Sequence, residues 1–453
     1  MTRFVFVLAT ALVAPAAVSA GRPDATHFDR SRLLIGTYCL APHERDEAHV
    51  RDLRDCGIDF LYGIPANDRA TLDLFAKYGI GVIATGAVPF WHGMDGSQAG
   101  QMAEKQPLEK FEAAIAAYRP HPAIWAVDVV DEPSALDFPH IARVLDCLKP
   151  RLGGAIPYLN LYPNYASVVQ NSGADAMNQL GTKTYAEHVS RYVEQVPLDY
   201  ISYDFYLYSV REDRRAEYDR KFYDNFKIVA DAARRTGKGF WFIPQVNSCF
   251  ENLWPSVNML RYQAFTSMAF GAEVINWACW GIEQRKETFH MSGLIGWWTN
   301  NVLTLEGHRT RQYEKLKVVN AELHALGPAY MRYRSVATHF TGFASEKGFD
   351  GIGIDVRDAA DAGPFRGIRA DDGSALVIGE MVSRRGDGAR AVFIVGSDDP
   401  YDVANRDYRV VFRAEGNVRA LCPSDAVVCR READGSWSVP IRSNAAVLVE
   451  SGF

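Results

Sequence analysis

Between Leu33 and about Leu326 the chain alternates short apolar runs with amphipathic helical patterns, and it does so eight times. Runs that apolar suit strands covered on both faces, and strands alternating with helices build βα units around a parallel sheet. The spacing predicts strands over 34–39, 60–64, 81–87, 124–130, 156–161, 200–206, 240–246 and 274–280. Helical patterns fall between them, over 49–56, 71–78, 108–118, 138–148, 185–196, 218–235 and 258–270. Eight such units close into a (β/α)8 TIM barrel. An open doubly wound sheet is the alternative, but it calls for a glycine-rich phosphate turn after the first strand, and Cys39-Leu40-Ala41-Pro42 is not one. Past Tyr330 the texture changes to short alternating segments (376–382, 390–395, 408–413, 445–450) broken by Gly386-Asp387-Gly388 and Asp434-Gly435, the pattern of an antiparallel β-sandwich. The expected division is a leader over 1–20, a catalytic barrel over 21–330 and a C-terminal sandwich over 331–453. With no long linker between them, the sandwich is expected to pack rigidly on the barrel.

The leader is read from Arg3, the apolar stretch from Phe4 to Val18, and the small residues Val18-Ser19-Ala20 before Gly21, which together form a secretory signal pattern. Its apolar core is too short to span a bilayer, and no later run suggests a membrane helix. The expected location is secreted or periplasmic. A net charge of −6 spread without acidic or basic blocks offers no footprint for nucleic acid or an anionic membrane, so a neutral ligand fits best. Seven cysteines are scattered along the chain, with Cys422 and Cys429 the one pair placed to bridge. No His-x-His, HExxH or CxxC spacing suggests a metal, and no cofactor motif is present.

Chemistry concentrates where Ile124-Trp125-Ala126-Val127-Asp128-Val129-Val130 runs into Asp131-Glu132-Pro133. Pro133 has no N–H and ends the ladder, which leaves Glu132 at the carboxyl end of the fourth strand, where barrels place their active sites. Apolar neighbours raise a carboxyl's pKa, as a general acid working near neutrality requires. The plain alternative is that Asp131 and Glu132 cap the helix beginning near Phe138. Asp128 shares alternation with Glu132 on a regular strand and is expected to be buried and hydrogen-bonded.

The segments His121-Pro122-Ala123-Ile124-Trp125 and Asp131-Glu132-Pro133 resemble the fourth strand of clan A glycoside hydrolases, the retaining (β/α)8 group. The likeness is closest to secreted, β-galactosidase-like bacterial proteins that read Asp-Glu-Pro. Tyr158-Leu159-Asn160-Leu161-Tyr162-Pro163 is similar to their fifth strand, the segment from Asp199 to Tyr206 to their sixth, and the segment from Ile275 to Gly281 to their eighth. The resemblance covers the barrel and the trailing sandwich. It implies that Glu132 is the acid/base, that Trp280 lies beneath the reacting sugar, and that a glutamate nucleophile ends the seventh strand.

That last position holds Gln245, and an amide cannot act as a carboxylate nucleophile. Three readings stay open: a substitute carboxylate, with Asp204 ranked ahead of Glu251 and Glu283; an inverting or substrate-assisted reaction; or a sugar-binding protein without turnover. Asp204 is set between Tyr203 and Tyr206, whose phenols can hold it. The expected sugar contacts are Asp131, Asn160, Tyr206, Gln245, Asn247, Trp277 and Trp280, the last two from a tryptophan cluster at or beyond the strand ends that also includes Trp91, Trp254, Trp297 and Trp298. His92 and His290 are further polar neighbours. The sequence reading is thus a cofactor-free glycoside hydrolase acting on a neutral, β-linked glycan. A metal-dependent barrel hydrolase is disfavoured by the missing ligand spacing.

Overall fold

The computed structural model describes residues 27–168, 179–208, 212–249, 253–281, 298–299, 301–344, 349, 351–402, 404–423 and 429–452, the side chains of 249, 298 and 299 excepted. The leader, Glu251, Glu283, His290 and Trp297 lie outside these residues, as does the side chain of Trp298.

Eight parallel strands form the barrel: β1 (Leu34–Tyr38), β2 (Phe60–Pro65), β3 (Gly81–Thr85), β4 (Ile124–Asp131), β5 (Ile156–Asn160), β6 (Tyr200–Asp204), β7 (Gly239–Ile243) and β8 (Val274–Trp277). They pair in the order β5-β4-β3-β2-β1-β8-β7-β6. A bridge between Leu161 and Tyr203 joins β5 to β6 and closes the ring. Each strand feeds a helix of the outer layer: α1 (Glu47–Asp55), α2 (Arg69–Tyr78), α3 (Leu108–Ala117), α4 (Phe138–Leu148), α5 (Tyr185–Gln195), α6 (Arg215–Thr236), α7 (Val257–Phe270) and α8 (Arg311–Tyr330). Local chemistry sets several helix starts: the Asp46, Asp68, Thr184, Ser256 and Thr310 side chains each accept a backbone N–H of the first turn.

The amino-terminal end of the barrel is plugged by aromatics. Phe28 enters among Phe60, Trp125 and Trp241, His27 stacks on Trp125 at 4.3 Å, and Trp241 stacks on Tyr200 at 3.9 Å. The plug is possible because two strand positions lack side chains. A Cβ on Gly36 would overlap the Phe60 ring, and one on Gly81 the Trp125 indole. Small residues facing large ones fill the layer at native density.

Behind the barrel stands a sandwich of two sheets. In chain order its strands are β9 (Tyr333–Thr341), β10 (Val356–Arg357), β11 (Ala360–Ala362), β12 (Phe365–Ala370), β13 (Leu376–Ser383), β14 (Arg390–Gly396), β15 (Asp407–Ala414), β16 (Val418–Leu421), β17 (Arg430–Arg431), β18 (Trp437–Arg442) and β19 (Ala446–Ser451). One sheet runs β10-β9-β13-β14-β19-β16 and the other β11-β12-β15-β18-β17. Strand alternation explains how the first sheet serves two cores. Leu376, Ile378, Val392 and Ile394 face the second sheet, whereas Val377, Met381, Phe393 and Val395 join the barrel core. Contact is close enough that a Cβ on Gly379 would overlap the Ala269 carbonyl of α7. Buried Glu450, held by Arg332, Arg419 and Tyr333, ties the same seam. One expectation is corrected: Cys422 and Cys429 are not joined in a disulfide.

Candidate active site at the carboxyl ends of the strands

Strand β4 is buried along its whole length until Asp131. Its pairing with β5 is irregular: Asp128 faces Tyr158 and Asp131 faces Asn160, so three steps on β4 match two on β5. This bulge breaks simple alternation and turns Asp131 to the same side as Asp128. That side is the barrel interior. Tyr62 on β2 reaches across β3 to donate to Asp128 Oδ2 at 2.7 Å, and the Tyr38 and Tyr158 hydroxyls meet at 2.6 Å from strands β1 and β5.

Asn160 joins the carboxylates. Its Nδ2 donates to Asp204 Oδ1 at 2.9 Å and lies 3.4 Å from Asp131 Oδ1, while its Oδ1 accepts from Ser202 Oγ at 2.9 Å. One amide therefore gathers the ends of β4, β5 and β6, and Ser202 fixes which end of the amide faces the acids.

Glu132 follows immediately, with φ at 49° in the left-handed region. For a residue with a side chain this conformation is strained, and it persists only where the surroundings enforce it. Two contacts do so. The Glu132 N–H donates to the Asn160 carbonyl at 2.8 Å, and Gly93 lies so close that a Cβ there would overlap the Glu132 carbonyl oxygen and the Tyr162 hydroxyl. Gly93 is itself anchored by its N–H to the Asp131 carbonyl at 3.0 Å.

The electrostatics follow from this crowding. Burial first, then the charges of Asp204 and Asp131, hold the Glu132 carboxyl well above the usual carboxylate range. Asp204 is pushed up to about 7, again by burial and then by Asp131, against the opposing hydrogen bonds of Asn160 and Tyr206. Asp131 is raised by burial, with His92 and Asn160 pulling the other way. Three carboxyls crowded into one low-dielectric site disfavour one another's charge, which raises the proton affinity of the cluster. Some 22% of the Glu132 side chain stays open to solvent, so the acid is reachable.

The structure thus brings together Glu132, Asp131, Asp204, Asn160 and Tyr206. It separates the other expected contacts from them. Gln245 is fully buried: its Oε1 accepts from the Tyr208 N–H at 3.0 Å, its Nε2 donates to the Asn247 carbonyl at 2.8 Å, and its backbone exchanges two bonds with Gln263 of α7. Asn247 is buried against Asn301 at 2.7 Å. Trp277 points outward, its indole N–H bonded to Asn320 of α8 at 2.9 Å, and Trp280 is buried edge-on against Tyr313 of the same helix. Both rings are fully buried. Trp91 is buried as well, and of the tryptophans expected at the rim Trp254 is exposed.

Sequence reasoning expected Tyr206 here and passed over the other tyrosines. Tyr38, Tyr62, Tyr158, Tyr162, Tyr165 and Tyr206 surround the carboxylates, and their phenols register the charges of Asp131, Glu132 or Asp204. His92 also joins the site. The two-residue strand Trp91–His92 pairs with Val130 and Asp131 and sets the imidazole beside the acids. Among the described residues no group of three or more His, Cys, Asp or Glu is arranged to hold a metal ion.

No protein-family model matches this chain, and neither does any curated protein. Solved structures with a similar trace include a glucosidase from Croceicoccus marinus, with 11% identity, 95% of this chain and 97% of that one covered, and a TM-score of 0.40. A glycoside hydrolase family 5 mannosidase from Rhizomucor miehei shares 12% identity over 64% of this chain and 93% of its own, with a TM-score of 0.43. A β-glucuronidase from Ruminococcus gnavus shares 13% identity over 64% of this chain and 50% of its own, with a TM-score of 0.44.

Proposed function

We propose that the protein is a glycoside hydrolase acting on a neutral, β-linked glycan or oligosaccharide, with Glu132 as general acid and Asp204 as the second carboxylate. The observation that carries this reading is the placement of Glu132, strained and partly open at a strand end, buried beside two further acids whose charges raise its pKa. Glycosidic cleavage needs one carboxyl to protonate the leaving oxygen and a second to serve the anomeric carbon. With its pKa near 7, Asp204 is partly ionised at neutral pH and suits a base that takes a proton from attacking water. In that scheme the Glu132 proton goes to the leaving oxygen, water forms the new bond to the anomeric carbon, Asp204 takes the water's proton, and solvent resets both groups. The product forms with inverted configuration, checked by NMR of the first-formed hemiacetal.

A neutral substrate is supported by charge: among the described residues no lysine or arginine is paired with Asp131, Glu132 or Asp204. The amino-terminal pattern supports a secreted or periplasmic place of action. A second reading, a carbohydrate-binding protein without turnover, is favoured by Gln245, whose amide is used up in backbone contacts. A panel of aryl glycosides assayed beside calorimetric titration separates the two. Turnover of any neutral sugar supports the enzyme; binding of a glycan with no turnover across the panel supports the binding protein.

A further inference from the structure

His92 reaches the acids by a route that fixes both its place and its tautomer. Its strand pairs in register with Val130 and Asp131, and Gly93 behind it is clamped between the Glu132 carbonyl and Tyr162. Nδ1 accepts the Met94 N–H at 2.8 Å, so the neutral ring carries its proton on Nε2. The Met94 carbonyl is in turn held by Tyr162 Oη at 3.0 Å and Gln179 Nε2 at 3.1 Å. Nε2 then faces two carboxylates almost equally, Asp131 Oδ2 at 3.8 Å and Glu132 Oε2 at 3.9 Å. Those separations suit a charge interaction or one bridging water.

What differs is the rest of each carboxyl's surroundings. Asp131 also has the Asn160 amide; among the described residues no side-chain hydrogen bond holds Glu132, which faces Asp204 and Asp131. We infer that His92 is a positioning residue that fixes how the proton is shared within the Asp131–Glu132 pair, favouring ionised Asp131 and so leaving the proton on Glu132. Among the described residues the titratable groups around this contact are Asp131 and Glu132 at the end of β4, Asp128 within β4, Tyr38 of β1, Tyr62 of β2, Tyr158 and Tyr162 on and after β5, Asp204 at the end of β6 and Asp95 in the histidine's own loop. Only the first two lie within 4 Å of Nε2 in an ion-pair geometry.

The inference rests on Glu132 being the acid, but its test does not need turnover. Carbon-13 titration of the Asp131 and Glu132 carboxyls in the full protein, against His92→Phe and His92→Gln, reads the proton sharing directly. Asp131 is expected to titrate about one pH unit higher or more in His92→Phe, where the N–H facing it is gone, and to move by less in His92→Gln. Glu132 is expected to titrate lower, because a protonated Asp131 no longer repels its charge. The gap between the two therefore narrows, more in His92→Phe than in His92→Gln, which keeps a neutral donor. Unchanged titrations in a folded His92→Phe, or both carboxyls moving the same way, would overturn the inference. An inactive wild type that still shows the narrowing would overturn the hydrolase reading alone.

Discussion

The ends of β4 and β7 occupy equivalent places on one rim, and they are built in opposite ways. At β4 a bulge, a left-handed glutamate and a cluster of acids crowd charge together and raise the acids' affinity for protons. At β7 the Gln245 amide has its acceptor on Tyr208 and a donor on Asn247, with Gln263 clasping the backbone. A satisfied polar group stabilises and is inert; a crowded, partly open one is reactive and costs stability. In the proposed reading the rim has its chemistry on the β4–β6 side, and the β7 position serves as a joint.

The largest expected effect breaks the reactive end. Glu132→Gln keeps size and neutrality but removes the transferable proton, and kcat/KM on glycosides with poor leaving groups should fall by about 10²–10⁴-fold. Next comes Gly93→Ala, whose methyl overlaps the Glu132 carbonyl. It should cost about 1–3 kcal/mol in thermal unfolding as the backbone shifts, and kcat should fall with it, whereas an unchanged melting curve would remove Gly93 from the support of Glu132.

Gln245→Glu sharpens the comparison from the other side. It places a carboxylate against the Asn247 carbonyl and discards a donor, so it should destabilise by about 1–3 kcal/mol without restoring a nucleophile; a gain in rate would show the site is not a joint. The smallest effect is in pH dependence. Because Asp204 holds its proton in the folded state up to about 7, the unfolded chain ionises first, and stability falls as pH rises from about 4 to 7. Asp204→Asn should flatten that fall in calorimetric melting. The change should stay below the roughly 1.4 kcal/mol per pH unit of one fully protonated carboxyl, since protons redistribute within the cluster.

The contrast also explains what was legible in the sequence. Barrel strands announce themselves as apolar runs whose burial is dictated by composition, and all eight lie where the pattern places them. Glu132 was visible because Pro133 marks a strand end. The bulge in β4 was not, since it depends on register against β5, and it is what turns Asp131 inward. The tyrosines of β1, β2 and β5 reach the acids through the curl of the sheet, and His92, expected only as a polar neighbour, is set beside them by pairing with Asp131. Trp277 and Trp280 misled because aromatics at strand ends serve the helix layer as readily as a ligand, and packing against α8 decides between them.

General acid catalysis at the β4 end is tested most directly by comparing Glu132→Gln with the wild type on two glycosides of one sugar, an activated dinitrophenyl and an unactivated alkyl leaving group. If Glu132 delivers the proton, the variant's loss on the alkyl glycoside should exceed its loss on the dinitrophenyl glycoside by at least about tenfold, because a good leaving group needs no acid. Equal losses on both substrates would contradict the assignment.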